Sequence, residues 1–189
     1  MRTDFREVLK DKTQADHERV DRLMSLIDLT TRDGLGRFLQ INHSCFEVMF
    51  AAVGAETSTG TTLHQIIGRI DADLLTLGLE KPVKSQEKLT KVDPLAVDYV
   101  VEGSRLGTKV LERLWSKAQD EKVQQANAYF TFGKVPGRWR DVCDQLSAIP
   151  AQSDRANFIL RDTKRMFDLF HDTANEFSES QHRGMEFVQ

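Results

Sequence analysis

A chain of 189 residues, 40% apolar and 29% charged, is long enough to bury one core of its own and has an ordinary globular balance. Its 26 basic and 29 acidic residues are interspersed, so a formal net charge of -3 gives no general pull toward nucleic acid. No apolar run approaches the roughly 20 residues that cross a bilayer, and the polar start Met1-Arg2-Thr3-Asp4-Phe5-Arg6 does not read as a signal peptide. Cys45 and Cys143 stand far apart in apolar surroundings, with no Cys-x-x-Cys. They read as buried free thiols of a reducing compartment, and the expected location is cytoplasmic.

The apolar spacing predicts helices from end to end. A first helix fits about Asp4 to Leu26, with Phe5, Val8, Leu9, Val20, Leu23, Met24 and Ile27 recurring at threes and fours. After Thr30-Thr31-Arg32-Asp33-Gly34, a second carries Leu35, Phe38, Leu39, Phe46, Met49 and Val53 on one face. Glu56 to Thr61 reads as a loop, with Thr61 or Thr62 capping a third helix that ends at Gly78. A polar stretch from Lys81 to Asp93 leads to Pro94, which suits the first turn of a long fourth helix. Gly133-Lys134-Val135-Pro136-Gly137 breaks the chain, and Pro150 precedes a last helix with Ile159, Met166, Phe167, Phe170, Ala174 and Phe177 in register. Residues 178–189 read as a frayed tail. No alternation of period two, repeat or linker is present, so the expected fold is all-α, a single domain over 1–189.

Leu9, Thr13, His17, Val20 and Met24 follow one line along the first helix, in steps of four, four, three and four. His17 is therefore expected inside a buried stripe, where an imidazole needs partners for both nitrogens. A metal on one and an acceptor on the other would satisfy it, and Asp21, one turn on, is the candidate acceptor. The alternative is a satisfied core histidine, since a lone His is not by itself a metal site. A single protein ligand makes sense chiefly for haem, whose porphyrin supplies four nitrogens. His43, His64, His171 and His182 form no i,i+4 pair, so di-iron or zinc chemistry is not expected.

On the fourth helix Gly103 and Gly107 lie one turn apart, on the face of Tyr99, Leu106, Val110 and Leu114. Each helical glycine costs about 1 kcal/mol against alanine, so the pair asks for a reason. Close packing of two helices is one. A flat ligand laid against bare backbone, or a bend, is the other.

The run Leu9-Lys10-Asp11-Lys12-Thr13-Gln14-Ala15-Asp16-His17 resembles the proximal helix of haem oxygenases, with Leu, Thr and the iron-ligating His at this spacing. Glu102-Gly103-Ser104-Arg105-Leu106-Gly107 resembles their distal glycine helix in the bacterial, bacteriophytochrome-associated form. Gly137-Arg138-Trp139-Arg140 and the terminal helix with Phe167 and Phe170 are similar to the rest of the fold, so the likeness spans nearly the whole chain. The resemblance implies the haem oxygenase-like fold, with haem held between the two helices and His17 as iron ligand. It implies that Gly103, Ser104, Gly107 and Thr108 face the catalytic side, with Lys10, Asp21, Tyr99, Arg140 and Phe167 around the cofactor. Lys10 and Arg140 would meet the propionates.

The implied activity is the oxidation of haem, with O2 and an external reductant, to biliverdin, iron and carbon monoxide. The implied partners are haem, an electron donor such as ferredoxin or a reductase, and a bilin acceptor such as a bacteriophytochrome, with no nucleic acid or membrane. Thr108 stands where relatives frequently carry glycine, and Ser104 where the mammalian enzymes carry aspartate. Gln14 is uncharged where some relatives have lysine. These departures bear on turnover more than on fold. A haem carrier or sensor without turnover is the alternative, and a helical module without haem a third. Arg155, Arg161, Lys164 and Arg165 read as the solvated face of the last helix or a docking patch for an acidic redox partner.

Overall fold

Side-chain oxygens start the helices. Asp4, Thr31, Thr57, Asp93 and Asp120 each accept a backbone N–H from the turn that follows, answering a donor with no partner inside its own helix. A computed structural model describes residues 4–83, 89–133 and 136–186, the last eight of them by backbone alone. Its helices are α1 (Phe5–Met24), α2 (Arg32–Val53), α3 (Ser58–Leu77), α4 (Pro94–Trp115), α5 (Glu121–Gln125), α6 (Ala128–Thr131), α7 (Arg138–Ser147) and α8 (Asp154–Glu186). No strand occurs among the described residues, only an isolated bridge between Asp4 and Pro150. The fold is all-α.

Two boundaries differ from the sequence reading. α3 begins at Ser58, because Thr57 rather than Thr61 or Thr62 is its cap, accepting the Gly60 N–H at 2.9 Å. Gly60 is required there: a Cβ would lie 2.0 Å from the Gly54 carbonyl oxygen. α8 continues to Glu186, past the Phe177 where the apolar register ends. Glu179, Gln181, Arg183, Met185 and Glu186 are good helix formers, and propensity carries the backbone beyond the last packed turn. Residues 187–189 of the tail lie outside the described residues, as do 84–88 of the polar stretch and Lys134 and Val135 of the break. Gly78 ends α3 in the left-handed region at φ 65°, as its position after the last apolar residue predicts. Thr57→Ala is expected to cost about 1 kcal/mol, a fall of about 3 °C in the midpoint of thermal unfolding followed by circular dichroism.

Residues from all eight helices join one hydrophobic core, with Leu9, Leu35, Leu39, Ile41, Met49, Leu63, Ile70, Leu74, Leu77 and Leu146 fully enclosed. α8 packs against α1, α2 and α4, while α3 packs chiefly on α2. α1 lies along α8 through Asp16–Lys164 and Arg19–Asp168, pairs that advance together on both helices. α4 is tied to it at its start, where buried Asp162 accepts the Asp93 N–H at 2.9 Å. The basic residues of α8 are thus not a bare face, since Arg155 pairs with Asp93, Lys164 with Asp16, and Arg161 and Arg165 with Asp162. No helix among the described residues is long and apolar enough to cross a membrane.

The short α5 and α6 were not anticipated from spacing. α6 has no side-chain cap of its own. Asp73 of α3 replaces it, its two oxygens accepting the Ala128 and Tyr129 N–H groups at 2.8 Å each. Both cysteines are buried and unpaired, and burial pushes the Cys45 thiol up to about 12. Cys45 is a small core residue, not a nucleophile.

Candidate functional site

α1 does not bury its stripe evenly. Leu9 and Thr13 are enclosed, whereas the His17 side chain is 54% exposed. The expectation of a buried imidazole is corrected: periodicity names the residues that share a face, not how far along the helix a neighbour covers it. Near its start α1 meets α7, where Asp4 accepts from Ser147 and Arg6 lies beside Cys143. Among the described residues the ring contact of His17 is with α8, where Phe167 stands edge-on to the imidazole, centres 5.7 Å apart.

The imidazole is nonetheless oriented. Its Nδ1 lies 3.1 Å from Asp21 Oδ2, one turn on, as the spacing predicted. Nε2 has no hydrogen-bonding partner among the described residues. In the neutral imidazole, a carboxylate on Nδ1 favours the tautomer with its proton there, which leaves the Nε2 lone pair available. Among the described residues no group of three or more His, Cys, Asp or Glu side chains is placed to hold a metal ion.

α4 meets α1 one turn earlier on each helix. Tyr99 is half-buried; burial pushes its phenol up, and a hydrogen bond with Thr13 pulls it back. Tyr99 precedes Gly103 by one turn, as Thr13 precedes His17. Beyond that contact the α4 face opens: Leu106 is 48% exposed, Val110 60% and Leu114 44%. Among the described residues a Cβ at Gly107 would find nothing within 4 Å, and one at Gly103 would touch the Trp139 ring alone. Neither glycine therefore serves close packing of two helix backbones. An apolar, side-chain-poor strip remains on the α4 surface.

The other residues singled out fall into place unequally. Phe167 is buried against His17. Ser104 is exposed and its hydroxyl donates back to the Val101 carbonyl at 2.8 Å; Thr108 is half-buried. Lys10 and Arg140 are exposed and form no ion pair with a described residue.

No protein-family model matches the chain, and no curated protein matches it.

The residues that spacing did not single out lie on the opposite side of α4. Glu102 and Arg105 are almost fully buried, and Arg138 reaches Glu102 and Asp98 from α7. Arg138 Nε stands 3.0 Å from Glu102 Oε1 and its Nη2 2.9 Å from Asp98 Oδ1. Arg105 Nη1 lies 3.7 Å from the same Glu102 oxygen, while its guanidinium covers the Phe132 ring and donates to the Gly133 carbonyl. Two acids one turn apart, Asp98 and Glu102, with a base at i+3 are a visible signal in the sequence. Only the tertiary fold shows that the group is desolvated.

Proposed function

We propose that this chain binds haem between α1 and α4 and opens it oxidatively to biliverdin, iron and carbon monoxide, as the resemblance to haem oxygenases implies. The observation that carries the reading is His17: an oriented imidazole, half-exposed, with Nδ1 held by Asp21 and Nε2 unpartnered. The donor set fits haem and little else, because one protein nitrogen completes an iron that brings four of its own. The exposed apolar strip of Leu106, Val110 and Leu114, with Gly107 bare among them, suits the face of a porphyrin.

Haem, when bound, would supply the redox chemistry with O2 and electrons from an external donor. The chain's own residues do the rest. His17 Nε2 would hold the iron, and Asp21 keeps the ring in the tautomer and orientation that this needs. Phe167 limits rotation of the imidazole from the α8 side. Gly107 would leave room for the ligand, and the exposed Leu106 and Val110 beside it would be covered by it. Lys10 and Arg140, exposed and unpaired among the described residues, are the cations available for the propionates.

A non-catalytic haem carrier or sensor is favoured by one observation. The Ser104 hydroxyl is turned back onto the Val101 carbonyl, so this turn of α4 presents no carboxylate to organise protons. Haem titration followed by ascorbate in air separates these readings. Loss of the Soret band with appearance of a bilin supports the oxygenase; a stable haem complex supports the carrier. Absence of any Soret shift defeats both. Gly107→Leu is expected to weaken haem uptake about tenfold by filling the strip, and an unchanged titration places α4 away from the ligand.

A further inference from the structure

Gly103 and Gly107 lie one turn apart on the same helix yet meet different surroundings, and the difference is Trp139. A Cβ at Gly107 would have open space, whereas at Gly103 it would reach Trp139 Cζ3 at 3.7 Å and Cη2 at 3.8 Å. The indole also leans on Tyr99, ring centres 5.7 Å apart and planes 34° from parallel. The strip of bare helix thus begins beyond Gly103, and the indole closes it on that side.

Trp139 owes its place to the residue before it. α7 starts without a side-chain cap, after Gly137 in the left-handed region at φ 86°. Its first turn is tied to α4 by Arg138, whose guanidinium spans Asp98 and Glu102 at 2.9 and 3.0 Å. Arg138 donates a hydrogen bond to Asp98, and Glu102, 4% exposed, adds a desolvated ion pair, so this is not a loose surface contact. Moving Arg138 moves the indole, because the two side chains share one turn of helix.

We propose that Trp139 is the specificity-determining wall of the α4 strip, and that Asp98 and Glu102 are positioning residues that hold it there through Arg138. The identity of the ligand rests on the haem reading; the clamp itself does not. The wall sets how wide a porphyrin rim the strip accepts at its Gly103 end. Neither carboxylate touches the ligand.

Two measurements on the full chain test this. The first needs no haem. In a Trp115→Phe background Trp139 is the remaining one of two tryptophans, and its fluorescence reports its surroundings. Glu102→Gln is expected to shift that emission to longer wavelength and raise its quenching by acrylamide. Asp98→Asn gives the same shift in smaller degree and stands in if the first variant does not fold. Unchanged emission in both overturns the clamp. The second compares affinities for iron deuteroporphyrin, bare at two rim positions, and its wider diacetyl derivative. Trp139→Ala is expected to change their ratio about tenfold in favour of the wider one. Glu102→Gln moves the ratio in the same direction, and Trp139→Phe restores the parent value. An unchanged ratio in a haem-binding Trp139→Ala protein overturns the wall alone. A parent that takes up neither porphyrin overturns the haem reading, and the wall's ligand with it.

Discussion

Replacing His17 by alanine is expected to remove the nitrogen-ligated iron spectrum of the haem-loaded protein while leaving the fold intact. The two halves of this expectation have separate grounds. The side chain is 54% exposed and makes one ring contact, with Phe167, so its loss costs the fold little. On the proposed haem reading it is the decisive group, because Asp21 occupies Nδ1 and leaves Nε2 for the iron. Free imidazole added to the variant should restore the parent spectrum by entering the space the side chain left. Thermal unfolding within about 2 °C of the parent accompanies the expected result. A variant whose iron spectrum matches the parent without added imidazole refutes the assignment.

Asp73→Ala is expected to produce the largest loss of stability. Two backbone donors, Ala128 N–H and Tyr129 N–H, bond to this one carboxylate at 2.8 Å each. Asp73 is 2% exposed, and water cannot easily replace it. Leaving both donors unanswered is expected to cost about 3 kcal/mol, a fall of about 10 °C in Tm. The segment also carries Phe130, which packs on Trp115 and Phe38, so the damage spreads into the core. A loss no larger than that of an exposed Asp→Ala control counts against this role.

The pH dependence of the same site has a definite sign. Burial pushes the Asp73 carboxyl above its ordinary 3.8, with the two N–H groups pulling the other way. The folded state then binds a proton more tightly than the unfolded chain. This contribution to stability is full below pH 3.8 and is lost as pH rises through the folded value. Asp73→Asn removes that titration, so its gap to the parent narrows with rising pH across this window.

Much of the architecture was legible because capping and chain-breaking are local. Asp4, Thr31, Pro94 and Gly78 mark helix ends through atoms within one turn of themselves. The Thr57 cap was missed because three threonines compete in that run, and the choice depends on the approach of the Gly54 carbonyl to Gly60. α6 was missed for a stronger reason: its cap is Asp73, 55 residues away in sequence. The candidate site divides in the same manner. The His17–Asp21 pair is an i,i+4 contact and could be read directly. The exposure of His17 could not, since it depends on how far along α1 the neighbouring helices cover its face. The cluster of Asp98, Glu102, Arg105 and Arg138 could be seen as charges but not as buried ones.

By itself, then, the order of residues determined the helical class, most helix ends, and the local geometry around His17 and along the glycine strip, because each depends on neighbours within a turn. What only the tertiary structure decided is which of those faces stay open. Gly103 is covered and Gly107 is not, since an indole brought by α7 lands on one turn of α4 and not the next. Coverage is a property of two elements meeting, and no single helix encodes it.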